Sequence, residues 1–299
     1  MKNAYCVRAF NPAAVNWKGV CAMAERKMSP VLKWAGGKTQ LLEQIAANMP
    51  ASYNHYYEPF IGGAAVLLGI SPTQAFINDV NEQLVNLYTQ LKTAVDSVIE
   101  KVNEMDARPC DKELYYAIRE LYNKKIAAKA FDAECAALMI WINKHCFNGL
   151  YRVNSRGLFN VPYNNKVGGR SIDEDNIRAI SDYLRQSDIT ITCLDFERAC
   201  DGVAAGDFVY FDSPYVPESV TASFTDYTMD GFGLADHQRL AALFRRLDTI
   251  GAKVMLSNND VPLVRQLYDG FRIQFLDVKR MINRNADKRT GKEVLVTNY

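Results

Sequence analysis

The stretch Phe208-Val209-Tyr210-Phe211-Asp212-Ser213-Pro214-Tyr215 decides how the rest of the chain is interpreted. Its first four residues predict a buried strand that ends abruptly at an acid, and Ser213-Pro214 then predicts a turn. In open α/β sheets, ligands bind outside the carboxyl ends of the strands. The strand therefore delivers Asp212 and Tyr215 into a crevice, where a carboxylate beside a flat ring suits a planar group that carries an amine. An ordinary strand followed by a turn fits the same residues.

Length and composition indicate an ordinary globular protein. The chain has 299 residues, of which 48% are hydrophobic and 23% charged, enough for one large or two modest domains. The net charge of +1 excludes a uniformly basic nucleic-acid binder but allows a local basic face. No apolar run is long enough to span a membrane, and polar residues interrupt any secretory signal. We expect a cytoplasmic protein and assign residues 1–28 to an N-terminal extension without a function.

Neither the cysteines nor the histidines predict a metal site or a nucleophile. The seven cysteines are scattered without a Cys-x-x-Cys pair, so we expect inert thiols in a reducing compartment rather than zinc ligands or disulfides. His55, His145 and His237 stand in no pattern typical of metal binding or catalysis, and we expect structural roles for them. No metal is therefore predicted.

The run Lys33-Trp34-Ala35-Gly36-Gly37-Lys38-Thr39 predicts a glycine turn that opens a helix. Apolar residues follow at helical spacing from Leu41 to Ile45, and the start of a helix offers free backbone N–H groups. Gly37-Lys38-Thr39 is similar to the end of a P-loop, but the earlier glycine of that pattern is replaced by Leu32. A capped turn with a core tryptophan is the plain alternative.

A second glycine turn follows a short strand at Tyr56-Tyr57-Glu58. Phe60-Ile61-Gly62-Gly63-Ala64 connects this strand to a helix that runs to about Ile70, and glycines there allow a ligand to approach the backbone. Asp79 ends the next apolar strand, 17 residues after Gly62. In nucleotide-binding folds an acid in this region accepts hydrogen bonds from ribose hydroxyls. The alternative role for Asp79 is the N-cap of the following helix.

Residues 81–147 predict a small helical insertion in an α/β protein. Apolar residues recur at helical spacing in three stretches, 84–102, 114–121 and 136–142, and strand signals are few. The segment 143–163 then mixes basic, amide and aromatic residues, and Asn154-Ser155-Arg156-Gly157 predicts a hairpin turn within it. That mixture suits contact with phosphates, base edges and base faces. A plain surface hairpin is the alternative.

From residue 166 the chain returns to alternating helices and strands. We predict helices at 177–184 and 234–247 and strands at 189–192, 208–211, 252–257, 272–278 and 293–298. Residues 215–233 are rich in Thr, Ser, Asp and Gly and predict a loop beside the site. The linker at 279–292 is basic and is a candidate for phosphate contact.

Five stretches, in order from residue 31 onward, resemble the Dam-type family (D12 class, alpha group) of DNA adenine-N6 methyltransferases. Asp212-Ser213-Pro214-Tyr215 resembles its Asp-Pro-Pro-Tyr motif, with Ser213 in place of the first proline. Residues 33–38 resemble its opening motif, and 60–64 its Phe-x-Gly-x-Gly loop with Ala64 in place of the last glycine. Residues 148–162 resemble its recognition element Asn-Gly-Leu-x-Arg-x-Asn-x-x-Gly-x-Phe-Asn-Val-Pro, and 221–227 a loop near the site.

The resemblance implies an α/β fold of the S-adenosylmethionine-dependent methyltransferase type. This is a Rossmann-like, seven-stranded, mostly parallel sheet with a helical plus β-hairpin target-recognition insertion. The implied catalytic residues are Asp212, Ser213, Pro214 and Tyr215. The implied binding residues for S-adenosyl-L-methionine are Trp34, Lys38, Phe60, Gly62, Gly63, Asp79 and Asp212. The implied DNA-binding residues are Lys33, Phe147, Asn148, Leu150, Arg152, Asn154, Arg156 and Pro162.

The resemblance also implies the reaction, which is methyl transfer from S-adenosyl-L-methionine to a flipped-out adenine of double-stranded DNA, with GATC as the expected target. The alternatives are a catalytically impaired DNA-binding relative and a methyltransferase for cytosine N4 or RNA. Residues 29–82 and 166–299 are expected to form the catalytic domain, and residues 83–165 the DNA target-recognition domain. A monomer that uses no membrane and no metal is expected.

Overall fold

The centre of the molecule is a seven-stranded sheet, seen in a computed structural model that describes residues 28–217, 231–279 and 290–299. Its strands are β1 Tyr56–Glu58, β2 Gln74–Asn78, β3 Asp188–Thr192, β4 Phe208–Phe211, β5 Lys253–Asn259, β6 Arg272–Lys279 and β7 Thr290–Thr297. The order across the sheet is β3-β2-β1-β4-β5-β7-β6. The first five strands in this order are parallel, and β7 runs antiparallel to both β5 and β6. The predicted fold class is confirmed.

Helices connect and cover the strands. They are α1 Leu42–Asn48, α2 Ala65–Ile70, α3 Glu82–Thr93, α4 Val95–Asp106, α5 Lys112–Ala127, α6 Ala133–His145, α7 Glu174–Gln186, α8 Leu234–Ile250 and α9 Pro262–Leu267. The expectations for the N-terminal extension, for 221–227 and for most of the basic linker lie outside the described residues. Within the described ranges, none of the helices is both long and apolar enough to cross a membrane.

The helical periodicity of residues 84–102 spans two helices rather than one. The chain leaves the helical conformation at Ala94, where φ is −145° and ψ is 39°, and α4 starts at the next residue. Val95, Val98 and Val102 are nevertheless buried like the leucines of α3, because the apolar face continues across the break. Periodicity therefore located the buried face but missed the break, since neither glycine nor proline marks it.

The sheet is packed on both faces, because successive side chains of a strand point to opposite sides. Tyr56 of β1 and Tyr210 of β4 belong to one apolar cluster, together with the buried faces of α3 to α7. Tyr57 of β1 and Phe211 of β4 belong to a second cluster, with α8 and α9. The strands at the centre are therefore buried on both sides, which explains why β4 reads as an unbroken apolar run.

The strand order reverses between β1 and β4. From β1 the chain moves outward through β2 to β3, and from β4 it moves outward in the other direction to β5. A crevice forms at such a switch point, outside the carboxyl ends of the strands. Glu58 ends β1 and Asp212 follows β4 directly, so both carboxylates lie at this crevice.

A helical insertion between β2 and β3 carries an irregular hairpin. Its central helix, α6, is buried almost all round and packs against α3, α4 and α5. The hairpin, residues 146–163, has two isolated bridges, Cys146 with Tyr163 and Val153 with Phe159. It rests on α5, where the side chain of Asn123 bonds both the N–H and the carbonyl of Phe159 at 2.8 and 3.0 Å. The expected hairpin is therefore present and anchored from below.

Candidate active site and nucleic-acid interface

A buried ion pair joins the glycine turn at residues 33–38 to Asp212, although the two motifs lie far apart in the sequence. Lys38 Nζ lies 2.6 Å from Asp212 Oδ1, and the two side chains are 4% and 20% exposed. The glycine turn before Lys38 supplies a second acceptor, the carbonyl of Gly36. Lys38 therefore forms an ion pair within the protein. Its partner is a carboxylate, whereas the lysine of a P-loop binds a phosphate.

Asp212 is held from the sheet side as well. Ser257 on β5 donates its hydroxyl to Asp212 Oδ1 at 3.2 Å, and the Tyr210 hydroxyl lies 2.9 Å from the same Ser257 Oγ. Burial raises the pKa of the Asp212 carboxyl, while Lys38 and Ser257 act in the opposite direction. Among the described residues, both hydrogen-bonding contacts use Oδ1, so Oδ2 is the oxygen left for a ligand.

Glu58 is a further carboxyl group in the crevice, and no motif of the sequence assigns it a role. It is buried at the end of β1, where Tyr56 donates its hydroxyl to Oε2 at 2.7 Å. Burial raises the pKa of Glu58 to about 8; the Tyr56 hydrogen bond lowers it, Asp212 adds to the rise, and Lys38 opposes it. The signal that selects Asp212, an acid at the end of an apolar strand, also marks Glu58.

Tyr215 is fixed by contacts on its hydroxyl and one ring face. Its hydroxyl donates to Glu293 Oε2 on β7 at 2.7 Å. Lys38 Nζ lies 4.5 Å from the ring centroid. An aromatic ring held at its edge and on one face can offer the other face to a planar ligand.

The two residues between Asp212 and Tyr215 differ in exposure. Ser213 is buried, and its Oγ has no hydrogen-bond partner among the described residues. Pro214 is exposed. The turn therefore buries Ser213, which departs from the family motif, and exposes Pro214, which matches the second proline of that motif.

The second glycine loop is closed by Asp79. Gly62 N–H donates to Asp79 Oδ2 at 3.0 Å, and Asn81 N–H donates to Oδ1 at 2.9 Å. Burial raises the pKa of the Asp79 carboxyl, against these backbone hydrogen bonds. A carboxylate has about four lone-pair positions, so this half-buried acid retains acceptor capacity. Asn81, whose side chain accepts from two backbone N–H groups, is the N-cap of α3, so the N-cap alternative for Asp79 is wrong.

Small residues in this loop accommodate Trp34. A Cβ atom at Gly62 or Gly63 would lie 3.1 or 3.0 Å from the Trp34 side chain, closer than ordinary contact. Ala64, which replaces the family's last glycine, takes the left-handed conformation with φ of 59°. That conformation costs an L-residue roughly 1–2 kcal/mol. Ala64 therefore adopts a backbone conformation that glycine would adopt without this cost. Phe60 packs on Phe196, with ring centroids 5.4 Å apart.

The hairpin turn is organised by Asn154. Its side-chain Oδ1 accepts hydrogen bonds from the N–H groups of Arg156 and Leu158 at 2.9 and 3.2 Å. Gly157 completes the turn with φ of +73°. The Asn154 oxygen is thus used within the turn, while the exposed side chain of Arg156 projects from it.

The remaining hairpin residues selected from the sequence are turned to solvent. Phe147 is 51% exposed, and Leu150 and Pro162 are exposed apolar side chains. Asn148 is exposed and left-handed, with φ of 57°. Arg152 is exposed, and its Nε donates to Asn160 Oδ1 at 2.8 Å. This contact orients the guanidinium, and within the described ranges its terminal nitrogens have no hydrogen-bond partner.

Asn143, on α6, ties the hairpin to the opening motif and was not selected as a site residue from the sequence. Its side chain is 4% exposed and accepts from Lys33 N–H at 2.8 Å. The same amide donates to the carbonyls of Lys33 and Gly149, both at 3.0 Å. Lys33 is consequently held beside Leu150, although more than a hundred residues separate them in sequence. Trp34 extends the link, since its ring lies 5.0 Å from that of Tyr151.

The fold and the crevice define an α/β methyltransferase-type protein with a second, basic and aromatic surface beside its active site. A family model described as D12 class N6 adenine-specific DNA methyltransferase matches residues 34–282. The chain therefore belongs to this class of DNA methyltransferases, as its motifs indicated.

Curated relatives are similar to this chain over most of their length. A type II methyltransferase, M1.LlaDCHI, of Lactococcus lactis subsp. cremoris is 42% identical over 274 residues, which are 91% of this chain and 96% of the relative. The type II methyltransferase M.MjaIII of Methanocaldococcus jannaschii is 42% identical over 91% of this chain and 100% of its own. A DNA adenine methylase of Serratia marcescens is 32% identical over 92% and 99%. The predicted family and enzyme class are confirmed.

Proposed function

We propose that this enzyme transfers a methyl group from S-adenosyl-L-methionine to the exocyclic nitrogen of an adenine that is flipped out of duplex DNA, within the sequence GATC. The observation that carries the proposal is the arrangement of Asp212, Lys38 and Tyr215 at the switch point of the sheet. One oxygen of Asp212 is fixed by Lys38 and Ser257, and the ring of Tyr215 lies beside it.

The chemistry explains why an acid is needed there. The exocyclic nitrogen of adenine is a poor nucleophile because its lone pair is delocalised into the ring. Asp212 Oδ2 accepts one N–H bond of the amine and the carbonyl of Ser213 accepts the other, which localises the lone pair toward the methyl group. Because Lys38 and Ser257 hold Oδ1, the acceptor is oriented before the base arrives.

Tyr215 supplies the surface on which the base rests. An enzyme that reacts with a base inside a duplex has to rotate the nucleotide out and usually stacks it on an aromatic side chain. Lys38 covers one face of the Tyr215 ring and Glu293 holds its hydroxyl. The base therefore stacks on the opposite face, within reach of the Asp212 carboxylate.

The crevice fits the methyl donor by the chemistry of its side chains. Asp79 keeps acceptor capacity for ribose hydroxyls, and the Gly62-Gly63 turn brings backbone and Trp34 close together without a Cβ between them. Trp34 and Phe60 offer apolar surface, and Lys38 holds the Asp212 carboxylate in the crevice. The bound donor would supply an activated methyl group, and these crevice residues bind it and align it for transfer.

The target sequence is inferred from four positions. Arg152 uses only Nε in its contact with a described residue, which leaves its terminal nitrogens for a bidentate contact with guanine O6 and N7. Leu150 and Pro162 are exposed apolar groups suited to a thymine methyl. Lys33 is exposed and held beside them through Asn143, where it can reach a second guanine. The family reads GATC with these residue types, which supports the same target for this chain.

Two measurements test the proposal. Modified-base sequencing of DNA from cells that express the protein should show N6-methyladenine in GATC. Asp212→Ala should lower turnover by at least roughly 100- to 1000-fold, while its affinity for GATC duplexes stays near that of the parent. Methylation of cytosine N4 or of RNA, or DNA binding without methyl transfer, would refute the proposed reaction. A different methylated adenine motif would refute the four base contacts alone.

A further inference from the structure

One segment of the chain carries positive charge without acidic residues to balance it. Residues 135–172 contain no Asp or Glu, although the whole chain has 34 acids and a net charge of only +1. The same segment contains five Lys or Arg residues, namely Lys144, Arg152, Arg156, Lys166 and Arg170. Two of the five, Arg152 and Arg156, belong to the hairpin. The other three have no role in the proposed reading of the bases.

A cavity of about 240 Å³ lies at the base of the hairpin. Arg108 and Arg170 line it, together with Gly168, Gly169, Cys110 and His145. Within the part of the chain that the structure describes, neither arginine has a carboxylate within ion-pair distance. By contrast, Lys101 and Lys125 of the same insertion are each paired with an acid. The cavity therefore gathers cations that the protein itself does not neutralise.

The acid of this cavity is already used inside the protein. Asp106 Oδ1 accepts the Trp141 indole N–H at 2.9 Å and the Ser171 hydroxyl at 2.7 Å, and Oδ2 accepts the Ser171 N–H at 2.7 Å. Since the Ser171 hydroxyl gives its single proton to Asp106, it accepts from His145 Nε2, which lies 3.0 Å away. The Asp106 carboxylate is therefore occupied by hydrogen bonds from Trp141 and Ser171, and His145 extends the same network.

The wall of the cavity is shaped by a close approach of backbone and ring. A Cβ atom on Gly168 would lie 2.4 Å from His145 Cε1. A side chain at this position would therefore displace either the His145 ring or the loop that carries Arg170. Burial lowers the pKa of His145, so the imidazole is neutral at physiological pH and the positive charge of the cavity comes from the arginines.

The cavity is joined directly to the DNA-reading hairpin. Tyr163, which closes the hairpin by its bridge to Cys146, donates its hydroxyl to the carbonyls of Cys110 and Lys166 at 2.8 and 2.7 Å. The N–H of Asn164 donates to the carbonyl of His145 at 3.0 Å. The lining of the cavity is therefore hydrogen-bonded to the base of the hairpin.

We propose that Arg108 and Arg170 form a binding site for a DNA backbone phosphate outside the recognition sequence, with Lys144 and Lys166 beside it. The inference rests on the proposed DNA target of the hairpin. Guanidinium groups bind phosphate oxygens in a bidentate manner. Phosphate contacts fix the position of a protein on the duplex without carrying sequence information. This site would set the register of the hairpin in the groove.

The test is the salt dependence of DNA binding by the full-length double variant Arg108→Ala/Arg170→Ala. The slope of log affinity against log salt should become shallower by about one to two, because about 0.9 is lost for each phosphate contact in B-DNA. GATC and scrambled duplexes should weaken by the same factor. The methylated motif and kcat at saturating DNA should stay unchanged. Arg246→Ala, an exposed arginine on α8, is the matched control and should leave the slope unchanged.

Duplex length provides a second readout. Trimming the flanks of the duplex should weaken the parent but not the double variant, since the variant has already lost the contact. An unchanged salt slope, or a changed methylation motif, would overturn the proposed site. If Arg152→Ala weakens binding while the double variant does not, only this site fails. If the parent protein does not bind DNA at all, the proposed function fails with it. Equal melting temperatures of variant and parent confirm that the fold is intact.

Discussion

In the crevice, Lys38, Asp212 and Tyr215 contact one another or a buried neighbour, whereas on the hairpin Phe147 and Leu150 are turned to solvent. The crevice side chains have their positions before any ligand binds. The hairpin backbone is fixed through Asn123 and Asn154, but most of the side chains proposed to read bases have few partners among the described residues. The crevice is therefore preorganised in the free protein, whereas we expect the exposed hairpin side chains to be ordered by DNA.

Asn143 lies at the border between these two regions, and its removal should have the largest effect on how they work together. Asn143→Ala leaves part-buried backbone groups of Lys33 and Gly149 without this partner, at up to about 1–3 kcal/mol for each group. Lys33 and Leu150 would then lose their common frame. We expect lower stability and methylation spread over sites that differ from GATC at one base pair, measured by modified-base sequencing.

A matched control separates specificity from stability for Asn143. Asn86 is also a buried asparagine, and it donates to the carbonyl of Asp132 at 3.1 Å rather than to a residue proposed to read DNA. Asn86→Ala should lower the melting temperature without changing the methylated motif. A double variant with Lys33→Ala should be non-additive if Asn143 acts through Lys33. An Asn143→Ala protein that keeps full discrimination would show that the two regions need no common frame.

Arg152 tests whether a hairpin side chain reads a base or only holds the backbone of DNA. Arg152→Ala should weaken binding to a cognate site by about 1–3 kcal/mol and relax discrimination at one base pair. Arg156 at the turn is the comparison, and Arg156→Ala should weaken all sequences equally. Affinities of both variants for GATC and single-mismatch duplexes decide the matter. A uniform loss for Arg152→Ala would assign it to phosphate contact.

Most of the elements and the strand ends could be predicted from the sequence, because both are local properties. The apolar run of β4 followed by Asp212 located the crevice, and the turn at Asn154 located the hairpin. The short helix α9, Pro262–Leu267, was missed. Its six residues are too few for a helical period to stand out.

The contacts that join distant segments could not be predicted from sequence. The Lys38–Asp212 pair and the link from Asn143 to Lys33 connect residues more than a hundred positions apart, and no local pattern encodes them. The environment of Glu58 could not be predicted for a different reason. It stands in the same position relative to its strand as Asp212, but its burial, and with it its raised pKa, depends on packing from α2 and the neighbouring strands.

Glu58 makes the stability of the crevice depend on pH. Its pKa is about 8 in the folded protein against 4.5 for an unperturbed glutamate, mainly because of burial. Between these values the folded state binds more protons than the unfolded state, so the free energy of unfolding should fall as pH rises. Glu58→Gln cannot titrate. From pH 5 to pH 8 the melting temperature of Glu58→Gln should therefore rise relative to that of the parent. The shift should be on the order of 2–4 °C for each kcal/mol of unfolding free energy that the parent loses.

The control for this prediction is an exposed acid. Glu43→Gln on α1 should give a melting temperature that follows the parent at every pH. If the difference between Glu58→Gln and the parent is the same at pH 5 and pH 8, Glu58 is ionised in the fold. The crevice would then carry one more negative charge than a neutral Glu58 gives it.

Ser213→Pro should have the smallest effect, and it tests how fully the crevice is preorganised. Pro214 already restricts Ser213 to an extended backbone, so the Ser213 carbonyl points the same way with either residue. The Ser213 hydroxyl is buried without a hydrogen-bond partner among the described residues, so its removal breaks no bond there. Proline would also fix φ, a gain on the order of 1 kcal/mol or less. We expect turnover to hold or rise, and Ser213→Ala to match the parent. A parent that is inactive until Ser213 becomes proline would show that the serine breaks the acceptor geometry.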